Sequence, residues 1–263
     1  MKLKLDRNVL SRWIAAFLVL GMSIWLIKVI RYQIALSSLY ISKNPCTYSA
    51  EKTLVIFLDA RSQKTLRKLH IKSADIVAEA NRIFSDHNLP FRYGMRNLKI
   101  RTWNTDNPAC KFLAAKFADE ASCFIDEMRS RHKKEKKLGN PDVLVFITAT
   151  GINEMSGKSF WKAPQGNGTI VLNLGIDLNS YDSNARLSGV AQKFFTRRFA
   201  HLLIHEQAHL FGAPHSPEAY SIMKINLDML GSHRVRFDGK SLEILIRRNI
   251  KLNKAKNQCA AQK

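Results

Sequence analysis

The sequence predicts an α+β fold: a twisted, partly parallel mixed sheet with helices packed on it, a small C-terminal subdomain, and a transmembrane helix ahead of both. Three observations carry that expectation. Short β-branched apolar runs alternate with longer stretches whose apolar residues recur at helical spacing, the pattern of right-handed crossovers onto a sheet. A basic N-terminus leads straight into an apolar run, the arrangement of a signal or signal anchor. The chain has 263 residues, 46% hydrophobic and 24% charged; this globular composition excludes collagen-like, coiled-coil and wholly disordered classes. Lys and Arg number 42 against 21 Asp and Glu, a formal charge of +21. Such an excess speaks to solubility and anionic partners and says nothing about the fold.

Taken in order, residues 1–12 carry Lys2, Lys4, Arg7 and Arg12 and form a basic, cytoplasmic N-terminus. Residues 13–31 follow as a signal anchor or signal peptide. The uncharged run Trp13–Ile27 covers about 22 Å as a helix, short of a ~30 Å hydrocarbon core, so Lys28 would have to snorkel for the span to complete. No cleavage site is obvious, which favours the anchor. The expected placement is therefore a single-pass membrane protein with its body outside the cytoplasm, or a secreted one if the segment is removed. Residues 32–51 read as a spacer and 52–263 as one domain. Four cysteines, Cys46, Cys110, Cys123 and Cys259, would then lie in a disulfide-permissive compartment, with three connectivities open.

Within the domain, the run TLVIFL at 53–58 reads as a buried strand. A helix is expected from Gln63 to His87 on the spacing of Leu66, Ile71, Ile76, Val77, Ala80 and Ile83, with Asn88 and Pro90 ending it. Phe91–Trp103 alternates loosely and reads as a second strand. Another helix is expected over 112–137, running into the basic stretch RSRHKKEKK. The segment DVLVFITA at 142–149 is the strongest strand signal, and TIVLNL at 169–174 a further one. A long helix from about Val190 to Phe211 carries Phe195, Phe199, Leu202 and Leu203 on its apolar side, and a last helix is expected over roughly Asp238 to Asn249, with Asp238 a suitable N-cap.

The chemistry concentrates at the end of the long helix, in His205-Glu206-Gln207-Ala208-His209-Leu210-Phe211-Gly212-Ala213-Pro214-His215. Histidines at i and i+4 share one helical face, so both imidazoles can meet a single metal ion. Glu206 is offset from that face, where it can take a proton from water at the metal instead of ligating. Gly212 suits a left-handed helix stop, and the reversal can bring His215 round as a third nitrogen ligand. Three histidines leave one tetrahedral position open, the mark of a catalytic and not a structural zinc site. His201, one turn earlier, is too far along the helix to join them. His70, His87, His132 and His233 have no partner spacing and read as surface residues.

At these residues the chain resembles the metzincin clan of zinc metallopeptidases, whose signature is HExxHxxGxxH followed by a methionine turn. The segment HEQAHLFGAPHS is similar to the matrixin-like form, and Met223, in Ser221-Ile222-Met223-Lys224, stands eight residues after His215. The resemblance implies Zn2+ on His205, His209 and His215, Glu206 as general base, and Met223 as an apolar floor that does not bind the metal. It implies a metzincin-like domain over 52–263 and a zinc-dependent endopeptidase acting on protein or peptide substrates outside the cytoplasm. In the clan the substrate lies along an edge strand, for which residues 155–162 or 169–173 are candidates. Ile225 occupies a position where astacin-like members carry tyrosine, so no tyrosine switch is expected.

The charge supports an alternative: a basic binding module on a metallopeptidase fold, holding an anionic polymer or a membrane surface. Its support is the basic runs at 129–137 and 193–198. An anionic envelope component is a plausible partner for either reading. No nucleic-acid motif or interleaved aromatic pattern is present, so no nucleic acid is expected.

Overall fold

A computed structural model describes residues 17, 19–23, 26–27, 51–89, 91–96, 98–103, 130–131, 134–135, 137–138, 141–149, 156–160, 166–174, 189–224 and 234–261; of 156–158, 160, 255–256 and 259–261 it describes the backbone alone. A five-stranded sheet of order β4-β2-β5-β7-β6 forms the centre. Its strands are β2 (Leu54–Leu58), β4 (Lys99–Thr102), β5 (Val143–Thr148), β6 (Ser156–Phe160) and β7 (Gly168–Asn173). The β4, β2, β5 and β7 pairings are parallel, and β6 closes one edge antiparallel to β7. A separate parallel pair joins β1 (Glu51–Lys52) to β3 (Arg92–Tyr93). The alternating runs predict a partly parallel sheet, and four of these five strands run parallel. Of the two candidate edge segments, 156–160 lies at an edge, whereas 169–173 is flanked by strands on both sides.

β2, β5 and β7 are buried along their whole length, which is why they read as continuous apolar runs instead of alternating ones. One face presents Leu54, Ile56, Val145, Ile147, Ile170 and Leu172 to a core shared with helices α2 (Ser73–Asp86) and α3 (Gly189–Leu210). The other face carries Phe57 and Phe146, stacked with centroids 4.7 Å apart, and Trp103 edge-on to Phe146. Arg131 lies 6.0 Å above the Phe57 ring, and the described residues among 130–138 are helical.

Two expected elements divide. The helix expected over 63–87 is two: α1 (Ala60–Lys68) and α2. His70 breaks it with φ 54, a left-handed conformation that a helix does not pass through. Each half has its own start. Asp59 accepts a bond from the Ser62 amide at 2.6 Å, and Asp75 accepts one from the Lys72 amide at 3.0 Å. The strand expected over 91–103 is likewise β3 and β4, which belong to different sheets. The long helix stands as expected, and the final one, α4 (Gly239–Ala261), extends past the expected end near Asn249.

The membrane placement is corrected. Among the described residues no helix is long and apolar enough to cross a membrane. The physical reason is visible in the sequence: the uncharged run ends at Lys28, about a quarter short of the ~20 residues a span requires. The transmembrane helix and the single-pass placement outside the cytoplasm are thereby overturned. All four cysteine side chains, His132, His233, Trp161 and most of the helix expected over 112–137 lie outside the described residues.

Candidate metal centre

α3 delivers the first two histidines. Its Phe199, Leu203 and Gln207 follow i, i+4 spacing and are fully buried, which fixes the rotation of the helix against the core. Glu79 on α2 accepts a bond from Arg197 on α3 at 2.8 Å, tying the two helices together at their flank. The helix then stops in a Schellman arrangement: the Gly212 amide bonds to the His209 carbonyl at 2.9 Å and the Ala213 amide to the Ala208 carbonyl at 3.0 Å. Gly212 has φ 91, a conformation at which a side chain would be strained. This reversal carries the chain back past the helix end to His215.

The three imidazoles converge. His209 Nε2 lies 3.1 Å from His205 Nε2 and 3.1 Å from His215 Nε2. The outer nitrogens of two rings face backbone carbonyls: His205 Nδ1 meets Ile222 O at 2.6 Å and His209 Nδ1 meets Ala213 O at 2.8 Å. A carbonyl only accepts, so each Nδ1 carries the proton and each Nε2 presents a lone pair inward. Lone pairs crowded to 3.1 Å repel one another unless a cation lies among them. The donor set therefore fits a metal ion, and three neutral imidazoles suit zinc. Burial grades from His205, buried, through His209, half-buried, to His215, exposed, so the cluster opens to solvent on one side. Among the described residues this is the one cluster of three or more metal-capable side chains. Burial, opposed in part by the Ile222 carbonyl bond, lowers the His205 pKa to about 4, keeping that ring neutral.

Glu206 is buried, its Oε1 3.9 Å from His205 Nε2, close to the cluster but outside it. Met223 is fully buried. Its amide donates to the Ser221 hydroxyl oxygen at 2.9 Å, and its carbonyl accepts from the Ser216 amide at 2.7 Å, next to His215. His201 is buried outside the cluster, its pKa lowered to about 4 by burial and by nearby Arg197. His70 is exposed as expected, but His87 is not a free surface residue. It meets Ile83 O at 2.8 Å, accepts from the Phe237 amide at 3.2 Å and stands edge-on to the Phe237 ring.

Two further groups support the site without showing a motif in the sequence. Gln207 accepts from the Tyr93 hydroxyl at 3.0 Å and donates to the Gly166 carbonyl at 2.7 Å. Asn81 holds the Tyr93 backbone from both sides, at 2.9 and 2.8 Å. The available signal was a glutamine on the apolar stripe of α3, since a buried amide demands partners. Asp238, expected only as an N-cap, does cap α4 through the Ser241 amide at 2.9 Å, and it also accepts from the Ser221 hydroxyl at 2.6 Å and the Ser241 hydroxyl at 2.7 Å. Burial pushes its pKa up, but bonds from Ser221, Ser241 and Ser216 outweigh that and hold it below the usual value.

No protein-family model matches the chain, and no curated protein matches it. Among solved structures it is similar to archaemetzincin from Methanopyrus kandleri, at 16% identity and TM-score 0.49, over 77% of this chain and 97% of that one. It is also similar to a zinc-dependent peptidase from Methanocorpusculum labreanum, at 16% identity and TM-score 0.38, over 73% of this chain and 99% of that one. At such identities and scores the chemistry stands on the residues of the site.

Proposed function

We propose that the protein is a zinc-dependent endopeptidase, with His205, His209 and His215 as the metal ligands and Glu206 as the general base. The observation that supports this best is the convergence of three Nε2 atoms at 3.1 Å contacts, with the opposite nitrogens of His205 and His209 held by carbonyls. Zinc held there supplies a Lewis acid, which makes water nucleophilic near neutral pH and polarises a peptide carbonyl. Glu206, beside the ligands and not among them, takes the proton from the attacking water and returns it to the departing amine. Its burial raises the effect of its charge at short range, because little solvent screens it. The Ile222 and Ala213 carbonyls orient two of the rings, and the buried Met223 is assigned the apolar floor of the site.

The test joins metal analysis to a variant. The full chain is expected to hold zinc near one equivalent and to cleave a mixed peptide library in a chelator-sensitive way. Glu206→Gln is expected to keep the zinc and lose at least a hundredfold in kcat. Full cleavage by zinc-loaded Glu206→Gln would refute the role given to Glu206, and protein that stays metal-free in excess zinc would refute the reading as a whole.

A further inference from the structure

A second surface lies at the far edge of the sheet from β6. β4 pairs with β2 on one side, and among the described residues no strand pairs with its other side. Lys99, Ile100 and Thr102 are exposed, Ile100 at 51%. Between β4 and α1 runs a groove of about 290 Å³, whose apolar floor includes Leu66, Ile71 and Ile100 and whose walls carry Arg67, Lys72 and Arg101. Arg61, Lys64 and Lys68 are exposed on the adjoining α1. Residues 60–72 and 99–102 contain no Asp or Glu at all. Arg101 pairs with Glu135 at 2.7 Å, and at the end of the strand Arg131 reaches the Thr102 carbonyl. Arg67 and Lys68 stand in the last turn of α1, where they also offset the helix dipole. That accounts for Arg67, Lys68, Arg101 and Arg131 and leaves Arg61, Lys64, Lys72 and Lys99 without such a role.

We propose that this edge is a docking site for an extended acidic polypeptide segment, which adds a strand to β4 and lays carboxylates against Arg67, Lys72 and their neighbours. Each half of the surface selects one half of the ligand. An exposed strand edge offers a row of backbone donors and acceptors that match an extended peptide and not a phosphodiester chain. Alternate residues of an added strand face the groove, where the cations on its walls set the sign of those side chains, and β-branched residues between them favour the extended strand. The occupant is thus a peptide in which carboxylate and β-branched residues alternate. The inference is independent of the metal chemistry, since the surface shares no residue with the histidine cluster.

The experiment uses the full chain carrying Glu206→Gln, so that cleavage does not consume the probe, and a fluorescein-labelled alternating Glu-Val octapeptide read by anisotropy. Saturable binding is expected, weakened at least tenfold by Arg67→Glu with Lys72→Glu and absent for the Lys-Val counterpart. N-methylation of the peptide along one edge is expected to abolish binding, while methylation along the opposite edge leaves it intact; this arm requires no protein variant to fold. Equal loss from both methylated peptides, or none from either, overturns strand addition. Undiminished binding by the double charge reversal overturns the assignment of the groove. Full competition by a single-stranded oligonucleotide or heparin at matched charge shows a general polyanion surface and overturns the peptide assignment. Failure of these arms leaves the zinc reading standing, and failure of the zinc reading leaves them measurable.

Discussion

The Tyr93–Gln207 bond can be measured as a coupling energy. Both side chains are essentially without solvent contact, Tyr93 at 1% exposure and Gln207 at 0%, so neither can turn to water when its partner is removed. Tyr93→Phe leaves the Gln207 oxygen buried without this donor, which costs about 1–3 kcal/mol. Gln207→Leu strands two groups, the Tyr93 hydroxyl and the Gly166 carbonyl, and is expected to cost about 2–5 kcal/mol on the same scale. Combining them strands only the Gly166 carbonyl, because the phenyl ring and leucine now face each other without polar atoms. The double variant should therefore be more stable than Gln207→Leu alone by about 1–3 kcal/mol, which makes the interaction energy, the double loss less both single losses, at least about 2 kcal/mol in magnitude. Urea unfolding of all four proteins, followed by circular dichroism at one pH, gives the cycle. Additive losses, within about 0.5 kcal/mol, would refute the claim that these two buried groups depend on one another for their hydrogen bond.

Three other perturbations follow from the same structure. Asp238→Ala removes the α4 cap and the acceptor for Ser221; the cap alone is worth about 0.5–2 kcal/mol, and a lowered Tm should be accompanied by weaker zinc retention against a competing chelator. Unchanged retention would separate the Met223 segment from the ligands. Glu79 has its pKa lowered from 4.5 to about 2, chiefly by its bond from Arg82, against the burial that opposes it. Its folded pKa lies below the unfolded one, so its contribution is complete above pH 4.5 and disappears as pH falls toward 2. With screening at a partly exposed pair this is worth about 1–2 kcal/mol, and Glu79→Gln should flatten the acid limb of the stability profile. Lys52 is buried with its amine 2.6 Å from Asn167 Oδ1, and burial lowers its pKa to about 8, against the opposing charge of Asp142. The folded state then gives up a proton between pH 8 and 10.5 that the unfolded state keeps, so stability should rise with pH through that window. A Lys52→Met protein that shows the same rise would assign it to another group.

What the sequence reveals depends on how far apart the interacting residues stand. The His205–His215 segment is legible because helix periodicity and one glycine specify most of its geometry within eleven residues. The parallel strands are legible because burial on both faces leaves unbroken apolar runs. The break at His70 is not, since positive φ is uncommon at any residue other than glycine, histidine included. Gln207 and Tyr93 are separated by 114 positions, and no local pattern announces a bond over that distance. The N-terminal run invited a membrane reading because its basic flank matched a signal, while its length did not meet the thickness of a bilayer. His87 looked like a surface residue for want of a partner in sequence, and found one 150 positions away in Phe237.

The bond from His205 to the Ile222 carbonyl sets a lower limit on what can be transplanted. A peptide holding only the helix and its turn would display both tautomers of that imidazole, because nothing within it accepts from Nδ1. The carbonyl that chooses between them belongs to a segment anchored by Ser221 to Asp238 and by the Ile222 amide to Arg236. The smallest portable unit of this centre is therefore about fifty residues, from Gly189 to Ser241. A graft that stops at His215 copies the ligands without the part of the chain that aims them.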